Sequence, residues 1–184
     1  MHGVVVITGV MAAGKSTVAQ ALAERLPRAA HVRGDVFRRM IVSGREDFTP
    51  GAEPGGAAEA QLRLRYRLSA ATADAYAEAG FTAVVQDVLL GPELASYVEL
   101  VRTRPLHVVV LAPDTETVAA REAGRAKTGY GTGDPAEDAW SIEGLNQGLR
   151  TSTPRIGLWM DTSTLTVAET VDAIVAGRER ARVL

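Results

Sequence analysis

The sequence predicts an α/β domain built on a five-stranded parallel sheet. Unbroken apolar runs rich in β-branched residues recur along the chain, as "VVVIT" (4–8), "TAVVQ" (82–86) and "LHVVVLA" (106–112). Such runs suit strands covered on both faces. Stretches of helix-forming composition lie between them, and strand–helix alternation feeds a parallel sheet with right-handed crossovers. The chain has 184 residues, 46% of them hydrophobic and 23% charged. That is enough to bury the core of one domain.

The elements follow in order. A first strand at 4–8 runs into glycines, and "STVAQALAERL" (16–26) places Val18, Leu22 and Leu26 on one helical face before Pro27 ends it. A short strand at 30–33 leads into Gly34-Asp35 and a short helix over 36–43. The Gly- and Pro-rich segment 44–56 has no period and reads as a mobile loop on the acceptor side. An Ala-rich helix spans 57–79, with Gly80 as its C-cap. The third strand, 82–86, ends at Asp87. Helix 92–103, strand 106–112 and a helix over 114–124, capped by Asp114 or Thr115, come next. "KTGYGTGDP" (127–135) is a second Gly-rich loop, and 121–135 as a whole reads as a mobile lid. A helix at 136–149, a fifth strand at 156–160 and a last helix over 166–182 complete the chain. Thr166 with Glu169 three positions on forms a capping-box pattern.

Composition removes several function classes. A net charge of −2 argues against a general nucleic-acid surface. There is no cysteine, so neither a disulfide framework nor a thiolate metal site is possible, and His2, His31 and His107 are scattered. The apolar start at 4–8 lacks the basic flank and length of a signal peptide, and no run reaches the ~20 residues of a membrane helix. A cytoplasmic protein, monomer or homodimer, with no nucleic-acid or membrane partner, is the expectation.

The most specific signal is "GVMAAGKST" (9–17), directly after the first strand. Gly9, Gly14, Lys15 and Ser16 fit G-x-x-x-x-G-K-[ST]. Backbone N–H groups must curl around an anion there, together with the amides of Ala12, Ala13 and Thr17, and side chains at the glycines would block them. Eighteen of the chain's 20 basic residues are arginine; only Lys15 and Lys127 are lysine. A compact ammonium is what reaches between β- and γ-phosphates, where a planar guanidinium is bulkier. Ser16 offers a hydroxyl to Mg²⁺.

The rest of the sequence favours phosphoryl transfer over hydrolysis. Asp87 is followed by Val88 rather than by a water-activating Glu, and neither N-K-x-D nor L-S-G-G-Q occurs. A kinase needs a base for the acceptor hydroxyl, and Asp35, at a strand end and a helix start, is the candidate. Asp35 also suits a plain N-cap, and the two roles can coexist. Asp87 is placed to hold Mg²⁺ through water, to bind the acceptor, or to cap the following segment. Arg121 and Arg125, four apart, are candidates for closing on the phosphates, with Lys127 a weaker one. Arg38 and Arg39 suit either an anionic acceptor or a solvated face, while Arg63, Arg65 and Arg67 cannot share one face and read as surface. Asp161-Thr162-Ser163 suits a loop beneath adenine or a helix-entry turn. Two readings besides a small-molecule kinase remain: a non-catalytic ATP-binding regulator and a polynucleotide-end kinase.

With "GVMAAGKST", the strand-end Asp35 and "QDVLLG" (86–91), the chain resembles the small P-loop kinases that include chloramphenicol phosphotransferase, gluconate kinase and shikimate kinase. The resemblance implies a P-loop NTPase three-layer sandwich with strand order 2-3-1-4-5 and helices on both faces. It also implies ATP and Mg²⁺, Asp35 as base, and a hydroxyl on a small molecule, an antibiotic or sugar-like metabolite, as acceptor.

Overall fold

The computed structural model describes residues 1–49, 52–124 and 140–183. Five parallel strands, β1 (Val4–Thr8), β2 (Ala29–Arg33), β3 (Thr82–Gln86), β4 (Leu106–Leu111) and β5 (Leu158–Met160), stand in the order β2-β3-β1-β4-β5. Strands β1, β3 and β4 are buried at every position, as their continuous apolar runs require of central strands. The edge strand β2 buries fully only Val32. Register is set by pairs such as Val6↔Val85 and Val6↔Val108, which bring the C-terminal ends of β1, β3 and β4 to one edge of the sheet.

Helices α1 (Lys15–Arg25), α2 (Gly34–Arg39), α3 (Ala57–Glu78), α4 (Glu93–Leu100), α5 (Thr115–Ala123), α6 (Ile142–Ser152), α7 (Val167–Ala176) and α8 (Arg178–Ala181) flank the sheet. Helix α1 packs on α7, and α3 packs on α4, so two helical pairs enclose the strands. The predicted caps form. Asp114 accepts from the Thr117 N–H at the start of α5, and Thr166 and Glu169 make a reciprocal capping box at α7. No helix among the described residues is long and apolar enough to cross a membrane.

The structure departs from the sequence reading in local ways, each with a physical cause. The sheet has a sixth strand, β6 (Arg182–Val183), antiparallel to β4. It exists because the last helix stops at Ala176 rather than running to 182. Gly177 caps the helix at a point where a Cβ would collide with Leu158, and the short α8 follows it. The helix predicted at 36–43 begins at Gly34 and ends at Arg39, since Met40 and Val42 are exposed and nothing apolar extends its packed face. The helix predicted at 92–103 ends at Leu100. The N–H groups of Arg102 and Thr103 bond instead to the buried Asp74 carboxylate, at 3.2 and 2.9 Å. Helix α6 starts at Ile142, where Ser141 caps it, and continues to Ser152; the 136–139 part of that prediction lies outside the described residues.

Candidate active site

The turn after β1 is shaped by its backbone. Gly9, Ala12 and Gly14 have φ of 149°, 55° and 94°. Ala12 is the one non-glycine with positive φ among the described residues, a conformation that costs an L-residue energy. A Cβ on Gly9 would overlap the carbonyl oxygen of Leu111. Gly14 precedes α1 without a side-chain cap, so the first amides of that helix have no capping oxygen. Lys15 is buried to 8% exposure, and its Nζ donates to the Val10 carbonyl at 2.6 Å. The Ser16 hydroxyl donates to Gln86 Oε1 at 3.1 Å. Arg121 spans the turn from above, donating to the carbonyls of Ala13 (3.3 Å) and Thr162 (3.0 Å).

The second strand end faces this turn. Asp35 sits in the first turn of α2, ion-paired with Arg39 at 2.9 Å and with Arg33 at 3.7 Å. Its Oδ1 is buried without a hydrogen-bond donor. Asp87, at the end of β3, has a fully buried side chain that is ion-paired with Arg65 of α3 and accepts from the Val88 N–H at 2.7 Å. Burial pulls the Arg65 guanidinium below its usual value, while the Tyr66 hydroxyl and Asp35 pull it back up. The neighbouring Tyr66 hydroxyl donates to the Val88 carbonyl at 3.0 Å, and burial pushes its titration well above the usual range. Gly34 is small by necessity, because a Cβ there would run into the Asp87 carboxylate.

Two cavities meet at this edge of the sheet. The larger, about 560 Å³, is bounded by the whole 11–18 turn together with Asp35, Arg65, Gln86, Asp87 and Arg121. The second, about 400 Å³, lies between α2, α3 and the 44–49 segment, and shares Met11, Arg65 and Val88 with the first. The 44–49 segment is fastened across α3: Gln61 donates to the Gly44 carbonyl (2.8 Å) and accepts from the Glu46 N–H (2.9 Å).

Of the residues singled out in the sequence, Ala12, Ala13, Gly14, Lys15, Ser16, Thr17, Asp35, Asp87 and Arg121 all line the larger cavity. Gly9 lies behind the turn and shapes it. Arg125 and Lys127 lie outside the described residues. Of Asp161, Thr162 and Ser163, only Thr162 lines the cavity. Asp161 and Ser163 form a turn in which hydrogen bonds from Ser163 hold the Asp161 carboxyl below its usual range. Arg65 corrects the sequence reading: its side chain is not on the surface but half-buried against Asp87, with which it is ion-paired. A 22-residue helix turning over a sheet offers no sequence signal for which of three alternating arginines points inward. Arg38 is bound to Asp47 at 2.7 Å and Arg39 to Asp35, so neither points free into the site.

Comparison with known proteins bears on the fold and the family. No curated protein matches the chain. Three solved structures share the architecture. A sugar kinase from Janibacter is 16% identical over 98% of this chain and 96% of its own, with a TM-score of 0.65. A tunicamycin resistance protein from Deinococcus radiodurans is 17% identical over 100% and 99%, with a TM-score of 0.67. A gluconokinase from Sinorhizobium meliloti is 21% identical over 97% and 92%, with a TM-score of 0.60. At these identities the likeness fixes the fold, that of the P-loop kinases, with the 2-3-1-4-5 sheet expected from the resemblance. A family model described as an AAA domain matches residues 4–141, a span holding the 9–17 turn, Asp35, Arg65 and Asp87. That span is about three quarters of the sequence, and the chain therefore belongs to the AAA domain family.

Proposed function

We propose that this chain is an ATP-dependent phosphotransferase that moves the γ-phosphoryl group to a hydroxyl of a small molecule. One observation carries the reading: a single cavity joins the 9–17 turn to the Asp35 carboxylate beyond the end of β2, two strands away. The donor set suits a nucleotide with Mg²⁺. The turn has glycine where a Cβ would close it, and the Ser16 hydroxyl is a hard oxygen donor on the same cavity; the Asp87 carboxylate, held by Arg65, would reach the ion through water. Mg²⁺ needs only one or two protein oxygens when phosphates supply the rest. When bound, the ion neutralises charge on the phosphate oxygens.

The roles then follow from placement. Lys15 exchanges the Val10 carbonyl for a phosphate oxygen, and the turn amides bind the remaining oxygens. Arg121, already over the turn, compensates charge that develops on the transferred group; Arg125 is proposed to join it. Asp35 accepts the acceptor hydroxyl's proton on its part-exposed carboxylate, with Arg39 holding that group in place. The acceptor oxygen bonds to phosphorus as the bond to ADP breaks, and the proton stays on Asp35.

Calorimetric titration with ATP–Mg²⁺ is expected to give saturable heat that Lys15→Ala removes or weakens strongly. With an acceptor found by screening alcohols, sugars, nucleosides and antibiotics, Asp35→Asn is expected to cut kcat by roughly 10²–10⁴-fold with nucleotide binding unchanged. Absence of binding heat overturns the nucleotide reading; full turnover by Asp35→Asn overturns the base.

A further inference from the structure

The second cavity has a character of its own. Its body is apolar and partly aromatic: Leu62, Leu90 and Leu145 with Tyr66, and Phe48 against Trp140 with ring centroids 5.9 Å apart. Four charged side chains line it. The two lining cations are already paired, Arg38 with Asp47 at 2.7 Å, a carboxylate that also takes the more distant Arg45 at 3.8 Å, and Arg65 with the buried Asp87. The two anions, Glu46 and Glu93, have no ion-pair partner among the described residues. Among the described residues that line it, an anionic ligand entering here would meet two carboxylates without an ion-pair partner and no cation that is not already paired. An ammonium would meet those carboxylates and the faces of an aromatic pair.

We propose that this cavity binds the acceptor, and that the acceptor is a hydroxyl compound with an apolar ring-sized body and an ammonium group rather than a carboxylate, phosphate or bare polyol. The inference rests on the phosphotransferase reading for the fate of the hydroxyl, but not for its binding. The ring occupies the leucine-lined body, because polyols leave that surface wet and gain little from it. The charge is read by Glu46 and Glu93. The hydroxyl points toward the shared wall of Met11, Arg65 and Val88, beyond which Asp35 lies.

Trp140 lines the cavity and Trp159 does not, so Trp140 emission in a Trp159→Phe background reports occupancy without nucleotide. Three alcohols with one phenylpropyl body isolate the charge: phenylalaninol (ammonium), 3-phenylpropan-1-ol (neutral) and 3-phenyllactate (carboxylate). Saturable changes are expected in that order of affinity, with phenylalaninol at least about tenfold tighter than phenyllactate and gluconate giving none. Thermal shift of the unaltered protein is the second measurement and is expected to rank the ligands identically. Glu46→Gln with Glu93→Gln is expected to erase the ammonium's advantage while the neutral alcohol still binds. Phe48→Ser, on an exposed segment, is expected to weaken all three ring compounds. Equal or tighter binding of phenyllactate or gluconate overturns the proposal, as does the lack of saturable binding by any ring compound. Neither outcome bears on ATP–Mg²⁺ heat at the 9–17 turn, so the two readings fail separately.

Discussion

The turns that end β1 and β2 face one cavity but are built differently. The 9–17 turn is shaped by backbone: three positive φ angles, glycines where a Cβ would collide, and helix amides without a cap. The side around Asp35 is held by charge: Arg39 and Arg33 on Asp35, Arg38 on Asp47, Arg65 on Asp87. A backbone-built site makes the same shape whatever surrounds it, which suits an invariant polyphosphate. A charge-built site is re-specified by exchanging a few side chains, which suits the small-molecule acceptor proposed for it.

The comparison breaks first at Arg65. Asp87 is completely buried, so removing its partner leaves an uncompensated charge in the interior. Arg65→Met is expected to cost about 3–5 kcal/mol in urea unfolding. Arg65→Met with Asp87→Leu is expected to recover much of that, since an apolar pair of similar volume often matches a buried ion pair. Additive losses in that cycle would mean that the acceptor side is not held by this charge pair.

Next is Gly9→Ala, which asks whether the other turn is held by backbone alone. The new methyl meets the Leu111 carbonyl at a φ that L-residues rarely adopt. About 2–4 kcal/mol of stability is expected to be lost, and nucleotide binding with it. A variant of ordinary stability would show that the turn adapts, and the contrast between the two sides would lose its basis.

A third experiment uses the far end of the sheet as a control. His107 is buried beside β6; burial lowers its titration most, the backbone bond to Val4 opposes it, and the positively charged N-terminus, His2 and Arg182 add smaller lowering contributions. A base held below its unfolded value of about 6.5 stabilises the fold fully above that pH. The contribution is lost as pH falls from there through the folded value. Asp74 extends the trend: burial raises it, but hydrogen bonds from Thr103 and Arg102 outweigh that and hold the carboxyl low. Its share is lost only below about pH 4. His107→Gln is expected to flatten the stability loss between pH 7 and 5 without changing nucleotide affinity. An unchanged slope would move the acid sensitivity to the charge-built side of the cavity.

What was legible in the sequence divides along the same line. The 9–17 turn, the strands and the caps at Asp114 and Thr166 could be read because glycine spacing, β-branched runs and capping pairs are local signals, while the strand order came from the family resemblance that those segments carry. The placement of Asp35 and Asp87 on one cavity also followed, since strand ends of a parallel sheet share an edge. The Arg65–Asp87 pair, 22 residues apart in sequence, could not be read, and nor could the Asp74 contacts that stop α4. Both depend on how α3 rolls against its neighbours. The second cavity was hidden for the same reason: Phe48, Leu62 and Trp140 meet only through tertiary packing.

The smallest effect sharpens the comparison most finely. Arg39 and Asp35 form an i,i+4 pair on a six-residue helix, with side chains 54% and 39% exposed. Water screens such a pair, and it contributes roughly 0.3–0.5 kcal/mol. Arg39→Ala is therefore expected to leave unfolding almost unmoved, in contrast to Arg65→Met, whose side chain is only 16% exposed. Its effect is expected in turnover, because Arg39 orients the carboxylate proposed to take the proton; kcat should fall while the affinity for ATP–Mg²⁺ stays constant. A loss of stability near that of Arg65→Met would show that the rim of the site carries the fold. A kcat equal to that of the unaltered protein would remove Arg39 from the positioning of Asp35 and leave Arg33 as its remaining ion-pair partner.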